Sequence, residues 1–138
     1  MAYVSPTLTL MVEAVKKTAS AVGRDFNELE HLQTSVHSDG TFAKHSYDKV
    51  LKVLHDEFAK FKPDLPLFVA GTNTAPENGS YFAVSPLAGF ANFAHGNADF
   101  AVSVALITNN TVTDAVVYSP IRDELFFAEK GCGKNLLL

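Results

Sequence analysis

Ser85, Leu87, Ala88, Gly89 and Phe90 fall within one Pro- and Gly-containing stretch, Ser85-Pro86-Leu87-Ala88-Gly89-Phe90-Ala91-Asn92-Phe93. The chemistry open to it is limited. Ser85 offers a hydroxyl and Leu87 a backbone carbonyl, and neutral oxygens alone rarely hold a hard, strongly hydrated cation such as Mg²⁺. Ser85 with His95 would suit nucleophilic catalysis only if the two touched and a third group oriented the base; the sequence names no such group. His31, His37, His45 and His55 do not repeat at a tight metal-ligand spacing with a partner acid. Cys132 stands between two glycines, and no neighbouring base argues for a lowered thiol pKa. Glu77 and Asp99 read as solvated loop charges. Phe82, Phe90, Phe93 and Phe100 surround the stretch and read as core filling rather than as an aromatic cage.

The elements that must position these residues follow from hydrophobic periodicity. Leu8, Met11, Val12, Val15, Ala19 and Val22 recur at helical spacing from Pro6 onward, with Ser5 or Thr7 available as a cap. Phe26 and Leu29 continue the rhythm past Gly23, so this helix either runs to about Leu29 or breaks at the glycine. The segment from His31 to Ser46 is rich in Ser, Thr, His and Gly and reads as a loop or irregular ribbon. A second helix is expected from Ser46 to Phe61, where Val50, Leu51, Leu54, Phe58 and Phe61 form a stripe and Pro63 ends it. Strands are then expected at Leu67 to Ala70, Tyr81 to Ser85, Phe100 to Thr108, Thr111 to Tyr118 and Glu124 to Glu129. Asn109-Asn110 suits a tight hairpin, because asparagine tolerates positive φ. Two helices followed by a β-meander indicate α+β: two N-terminal helices packed on a mostly antiparallel sheet.

The 85–93 stretch resembles the signature of the inositol monophosphatase family, Asp-Pro-Leu/Ile-Asp-Gly-Thr-x-Asn-Phe. Three further segments are similar to that family in order along the chain. These are Phe100 to Leu106, Val116-Val117-Tyr118-Ser119-Pro120-Ile121-Arg122-Asp123-Glu124-Leu125-Phe126, and Ala128-Glu129-Lys130-Gly131-Cys132-Gly133. Met11 to Gln33 resembles the N-terminal helix of bacterial members, of the inositol-1-monophosphatase or extragenic suppressor type. The resemblance implies the first domain of the family's fold over residues 1–138, truncated before the second.

In the family both signature aspartates bind Mg²⁺ and the Gly-Thr segment helps hold phosphate. Here Ser85 and Ala88 replace the aspartates and Phe90 replaces the threonine, while Pro86, Gly89, Asn92 and Phe93 remain. The family's Glu-Glu pair corresponds to Phe68-Val69-Ala70-Gly71-Thr72-Asn73, which holds no carboxylate. A family lysine falls near His37, and an aspartate at the start of the second helix falls on Tyr47, with Asp48 one residue away. Metal-assisted hydrolysis generates a water nucleophile and stabilises the leaving oxygen, and both need the missing carboxylates. The resemblance therefore implies a degenerate metal site, with no cofactor expected where intact members use Mg²⁺. The expected role is a catalytically silent binding or interaction module. The alternatives are a residual Mg²⁺-dependent phosphatase on inositol or sugar phosphates, drawing acids from Asp48, Glu77 or a partner chain, and a product with no selected activity.

Composition narrows the setting. The 138 residues are 47% hydrophobic and 19% charged, enough for one domain with a core and no disordered bias. A formal charge of −4 argues against general nucleic-acid binding, which needs a basic surface. One cysteine excludes an internal disulfide framework, and no apolar run is long enough to span a bilayer as a helix. A cytoplasmic location is expected. Loss of the second domain is expected to uncover an apolar face or edge, and hence to favour a homo-oligomer burying part of the Phe100 to Phe127 meander, with a protein partner also open.

Overall fold

Ser5 starts the first helix by a local hydrogen bond: its Oγ accepts from the Leu8 N–H at 3.1 Å, and Pro6 follows at the first helical position. The computed structural model describes residues 5–32, 41–69, 72–131 and 133–137. Helix α1 (Pro6–Lys16) buries Leu8, Met11, Ala14 and Val15. Helices α2 (Ala19–Leu32) and α3 (Thr41–Phe61) follow. The single N-terminal helix expected from periodicity is thus divided, and at Lys17–Thr18 rather than at Gly23. Thr18 is fully buried and its Oγ1 donates to the Val15 carbonyl at 2.7 Å, turning the chain between the two helices. Gly23 sits inside α2. A second correction concerns the loop expected from His31 to Ser46: helix α2 continues to Leu32 and α3 begins at Thr41, leaving 33–40 outside the described residues. Ser46 is a buried helical residue whose Oγ donates to Asp25 Oδ2 at 2.6 Å, so a polar residue that reads as loop instead ties α3 to α2.

Among the described residues the sheet has six strands in sequence order: β1 (Leu67–Val69), β2 (Ser80–Ala88), β3 (Ala101–Thr108), β4 (Thr111–Ser119), β5 (Glu124–Glu129) and β6 (Gly133–Leu137). Only β1 and β2 pair in parallel; every other neighbour is antiparallel. Strand β6 has no counterpart in the sequence reading, because a run opened by glycine carries little strand signal. The Asn109-Asn110 turn is as expected, with φ of 49° and 64° at its two residues.

One face of the sheet carries the core. Phe82 and Val84, Val102 and Val104, Val116 and Tyr118, and Leu125 and Phe127 alternate along their strands and are buried. Helices α1 and α3 cover them; α1 lies over β3 and β4, and α3 over β2. Phe58 of α3 stacks on Phe82 with ring centroids 4.4 Å apart. The α+β class therefore stands, with helices layered on one side of a mostly antiparallel sheet.

Candidate functional site

Residues 85–93 are not a loop. Strand β2 continues through them to Ala88, and after Gly89 the five-residue helix α4 (Phe90–Ala94) begins. The pairing shifts between Ser85↔Ser103 and Ala88↔Ala101, which inserts one extra residue as a bulge at Pro86-Leu87. Proline suits that position because it has no N–H to lose from the ladder. The bulge leaves Ser85 exposed and sends Leu87 into the core.

Each surviving scaffold residue has a local reason to be there. Gly89 has φ 86°, and a Cβ on it would lie 2.8 Å from the Asp99 carbonyl oxygen. Asn92 Nδ2 donates to that same carbonyl at 2.8 Å, and the Asn97 N–H donates to the Asn92 carbonyl at 2.8 Å. Phe93 is fully buried against Phe100 and Phe26, at centroid distances of 5.0 and 6.4 Å. The turn is held by packing and by the hydrogen bonds of Asn92.

Phe90 packs elsewhere. Its ring meets Tyr47 of α3 edge to face, with centroids 6.2 Å apart and planes at 78°. Lys44 Nζ lies 4.7 Å from the centroid of the Tyr47 ring and also pairs with Asp48 Oδ1 at 2.9 Å. The structure thus brings together the two positions where the family resemblance leads one to expect an aspartate and a threonine, and both hold rings. Successive helix residues point about 100° apart, and Asp48 faces a cleft of about 430 Å³ lined also by Leu51, Lys52, His55, Leu67, Val69 and Asn73. It is Tyr47, not Asp48, that stands beside residue 90.

The other candidates disperse. Asp99 pairs with Arg122, and both are exposed. Glu77 is exposed in the segment between β1 and β2. His95 Nδ1 lies 2.7 Å from the Ala91 carbonyl within its own turn, which spends it on α4 rather than on Ser85. His55 lies 3.8 Å from Asp56 on the exposed side of α3. His37, Ala70, Gly71 and Cys132 lie outside the described residues, as does the side chain of His31. Among the described residues no three His, Cys, Asp or Glu side chains converge where they could hold a metal ion. Phe82, Phe93 and Phe100 are buried in one helix-covered core with Phe90 packed against it, as core filling requires, and Phe82 meets Phe58 and Phe61 there.

As a donor set for Mg²⁺, the Ser85 hydroxyl, the Leu87 carbonyl, Ala88 and two aromatic rings do not fit, because none of them supplies the carboxylate that offsets the ion's dehydration. The pairing of Tyr47 with Phe90 was not signalled in the sequence, because the two are far apart along the chain; Lys44 is only three residues from Tyr47, but it falls in the segment that reads as a loop.

This arrangement of helices, meander and Pro-x-x-Gly bulge matches the family model described as "Inositol monophosphatase family" over residues 10–136, and the chain belongs to that family. It is similar to an inositol-1-monophosphatase of Rhizobium meliloti, 35% identical over 134 residues that cover 96% of this chain and 50% of the relative. A Nus factor SuhB of Xylella fastidiosa is 30% identical over 131 residues, covering 95% and 48%. The crystal structure of the extragenic suppressor protein suhB from Bartonella henselae superposes with a TM-score of 0.81 at 30% identity, covering 96% of this chain and 51% of that one. The chain spans about half the length of the curated relatives it matches.

Proposed function

We propose that this chain is a non-hydrolytic member of its family, a binding or interaction module built on the phosphatase scaffold. The observation that carries the reading is the Tyr47–Phe90 ring pair, which occupies the two positions that the resemblance assigns to an aspartate and a phosphate-facing hydroxyl. Ser85 and Ala88 support it, being the signature positions at which the family carries aspartates. In this reading Ser85, Leu87, Ala88, Gly89 and Phe90 form a degenerate metal site kept for its packing, and no cofactor is used. Relatives named as inositol-1-monophosphatases and as Nus factors stand at comparable identity, so membership alone does not select hydrolysis. The same proposal takes these residues to act as one α+β domain in the cytoplasm. In support of the wider setting, no described helix is long and apolar enough to cross a membrane.

Calorimetric titration of Mg²⁺ into the protein with inositol monophosphate present tests the reading. The expected result is heat of dilution only, and no phosphate release in a parallel assay. Micromolar to millimolar Mg²⁺ binding accompanied by turnover would overturn it. The residual-phosphatase reading would then return, with Asp48, Glu77 or a partner chain as the source of acid.

A further inference from the structure

Strand β1 is an edge of the sheet, with β2 on one side and no described strand on the other. The Pro66 carbonyl accepts from the Phe82 N–H at 3.0 Å, and Leu67, Phe68 and Val69 pair in parallel with Phe82, Ala83 and Val84. Residues 66 and 68 therefore turn their peptide groups towards β2. Residues 67 and 69 turn theirs outward, where a further strand would bond. That outer row is occupied by the chain itself. Asn73 Nδ2 donates to the Leu67 carbonyl at 2.8 Å, and Asn73 Oδ1 accepts from the Val69 N–H at 3.0 Å. The Val69 carbonyl accepts from the Thr72 N–H at 3.1 Å and from Thr72 Oγ1 at 2.8 Å. Three of the four outward groups of residues 67 and 69 are thus spent. In a parallel ladder, one residue of an incoming strand donates its N–H to the carbonyl of residue i−1 and accepts from the N–H of residue i+1. With Phe68 as residue i, those two groups are the Leu67 carbonyl and the Val69 N–H. The Asn73 carboxamide makes both bonds, and so stands where a residue of a further parallel strand would stand.

We propose that Asn73, with Thr72, is an edge cap that closes the sheet at β1 against strands from other polypeptides. An open edge is a template for pairing with another chain. The opposite end of the sheet is β6, beyond which no described strand lies. With β1 open, β6 of one copy could add to β1 of the next. Such head-to-tail addition grows as a filament unless its rotation closes a ring. Capping one end is enough to stop that growth. Strand β1 has three residues and offers an incoming strand few bonds, of which the carboxamide already makes two. The residue type matters. An amide supplies both a donor and an acceptor, whereas a carboxylate at this position would only accept and would face the Leu67 carbonyl. The cap is a matter of backbone pairing and does not depend on whether the chain hydrolyses phosphate.

Asn73→Ala in the full chain is the test. Asn73 is exposed, so the variant should keep the circular dichroism of the wild type. Its Val69 amide should exchange about fivefold faster or more, as loss of one hydrogen bond requires. At raised concentration the variant is expected to form growing assemblies that bind thioflavin T, and the wild type is not. Asn78→Ala, in the same exposed segment but outside these bonds, should behave as the wild type. Adding Leu67→Pro to Asn73→Ala should abolish assembly, because proline removes an outward N–H and obstructs an added strand. In the wild type itself, the side-chain amide protons of Asn73 should exchange more slowly than those of Asn78. Equal exchange at the two side chains overturns the proposal without any variant. Thioflavin-binding assembly of the wild type overturns it too, as does an Asn73→Ala protein that exchanges faster at Val69 yet does not assemble. Assembly caused equally by Asn78→Ala, or persisting with Leu67→Pro, would place the growing edge elsewhere and overturn it as well.

Discussion

Tyr118 joins β4 to the turn that follows it. Its Oη donates to Asp123 Oδ1 at 2.8 Å, and Asp123 itself has φ 52°, so the hydrogen bond fixes a residue in the left-handed region. Burial, followed by the nearby Asp123 carboxylate, pushes the phenol up to about 12. The folded state therefore holds the Tyr118 proton in a range where the unfolded chain, with an ordinary pKa near 10, has released it. Stability from this group is complete below about pH 10 and is lost as pH rises from about 10 to about 12, by up to about 2 kcal/mol. Urea denaturation of wild type and Tyr118→Phe across that range should show a falling difference between them, and a constant difference would contradict the burial of the phenol. At this scale the sequence was informative about what is missing and silent about what replaced it. That Ser85 and Ala88 stand where the resemblance expects aspartates is legible in residue types. The Tyr47–Phe90 contact, the Lys44 ammonium over the ring and the hydrogen bond holding Tyr118 depend on distances that residue types do not encode.

At the scale of elements, periodicity located the β-meander well because its alternation is strict and its turns carry asparagine, proline and glycine. Asn109 and Asn110 both adopt positive φ, and the Asn109 side chain also accepts from the Gly79 N–H at 3.1 Å, linking this hairpin to the start of β2. Alanine lacks asparagine's tolerance of that conformation, so Asn110→Ala is expected to cost about 1 kcal/mol. The change should appear as a lower urea midpoint with an unaltered slope. The helical part was less legible. An apolar rhythm that continues across Lys17–Thr18 conceals the break, because Thr18 turns the chain by a side-chain hydrogen bond that leaves the spacing of buried residues intact. Polar content likewise misled at Ser46, whose hydroxyl is satisfied by buried Asp25, itself paired with Lys49 at 3.1 Å. Helix α4 is too short for its period to register, and it exists because Gly89 and Asn92 close a turn around the Asp99 carbonyl.

For the whole molecule, cohesion is unequal across the sheet. Val102, Val104 and Val116 are fully buried in strands paired on both sides and covered by α1, whereas β1 is a three-residue edge. Amide hydrogen exchange should be slowest in β3 and β4, approaching the global unfolding free energy, and much faster in β1. Equal protection of β1 and β3 would show that the edge is covered by something beyond the chain's own residues. The α+β class was readable from the order of elements, since helices followed by a meander leave few ways to bury both apolar sides. The row of Ala83, Ala105, Ala115 and Ala128 across β2 to β5 was not, because it emerges only when the register is known.

The Tyr47–Phe90 pair also couples two positions that are far apart along the chain. An aspartate restored at 47 alone would lie against the Phe90 ring, and a threonine restored at 90 alone would leave the Tyr47 ring without its neighbour. The two rings are therefore coupled: changing either alone takes the contact from the other, and the effects of the two changes on stability should not add.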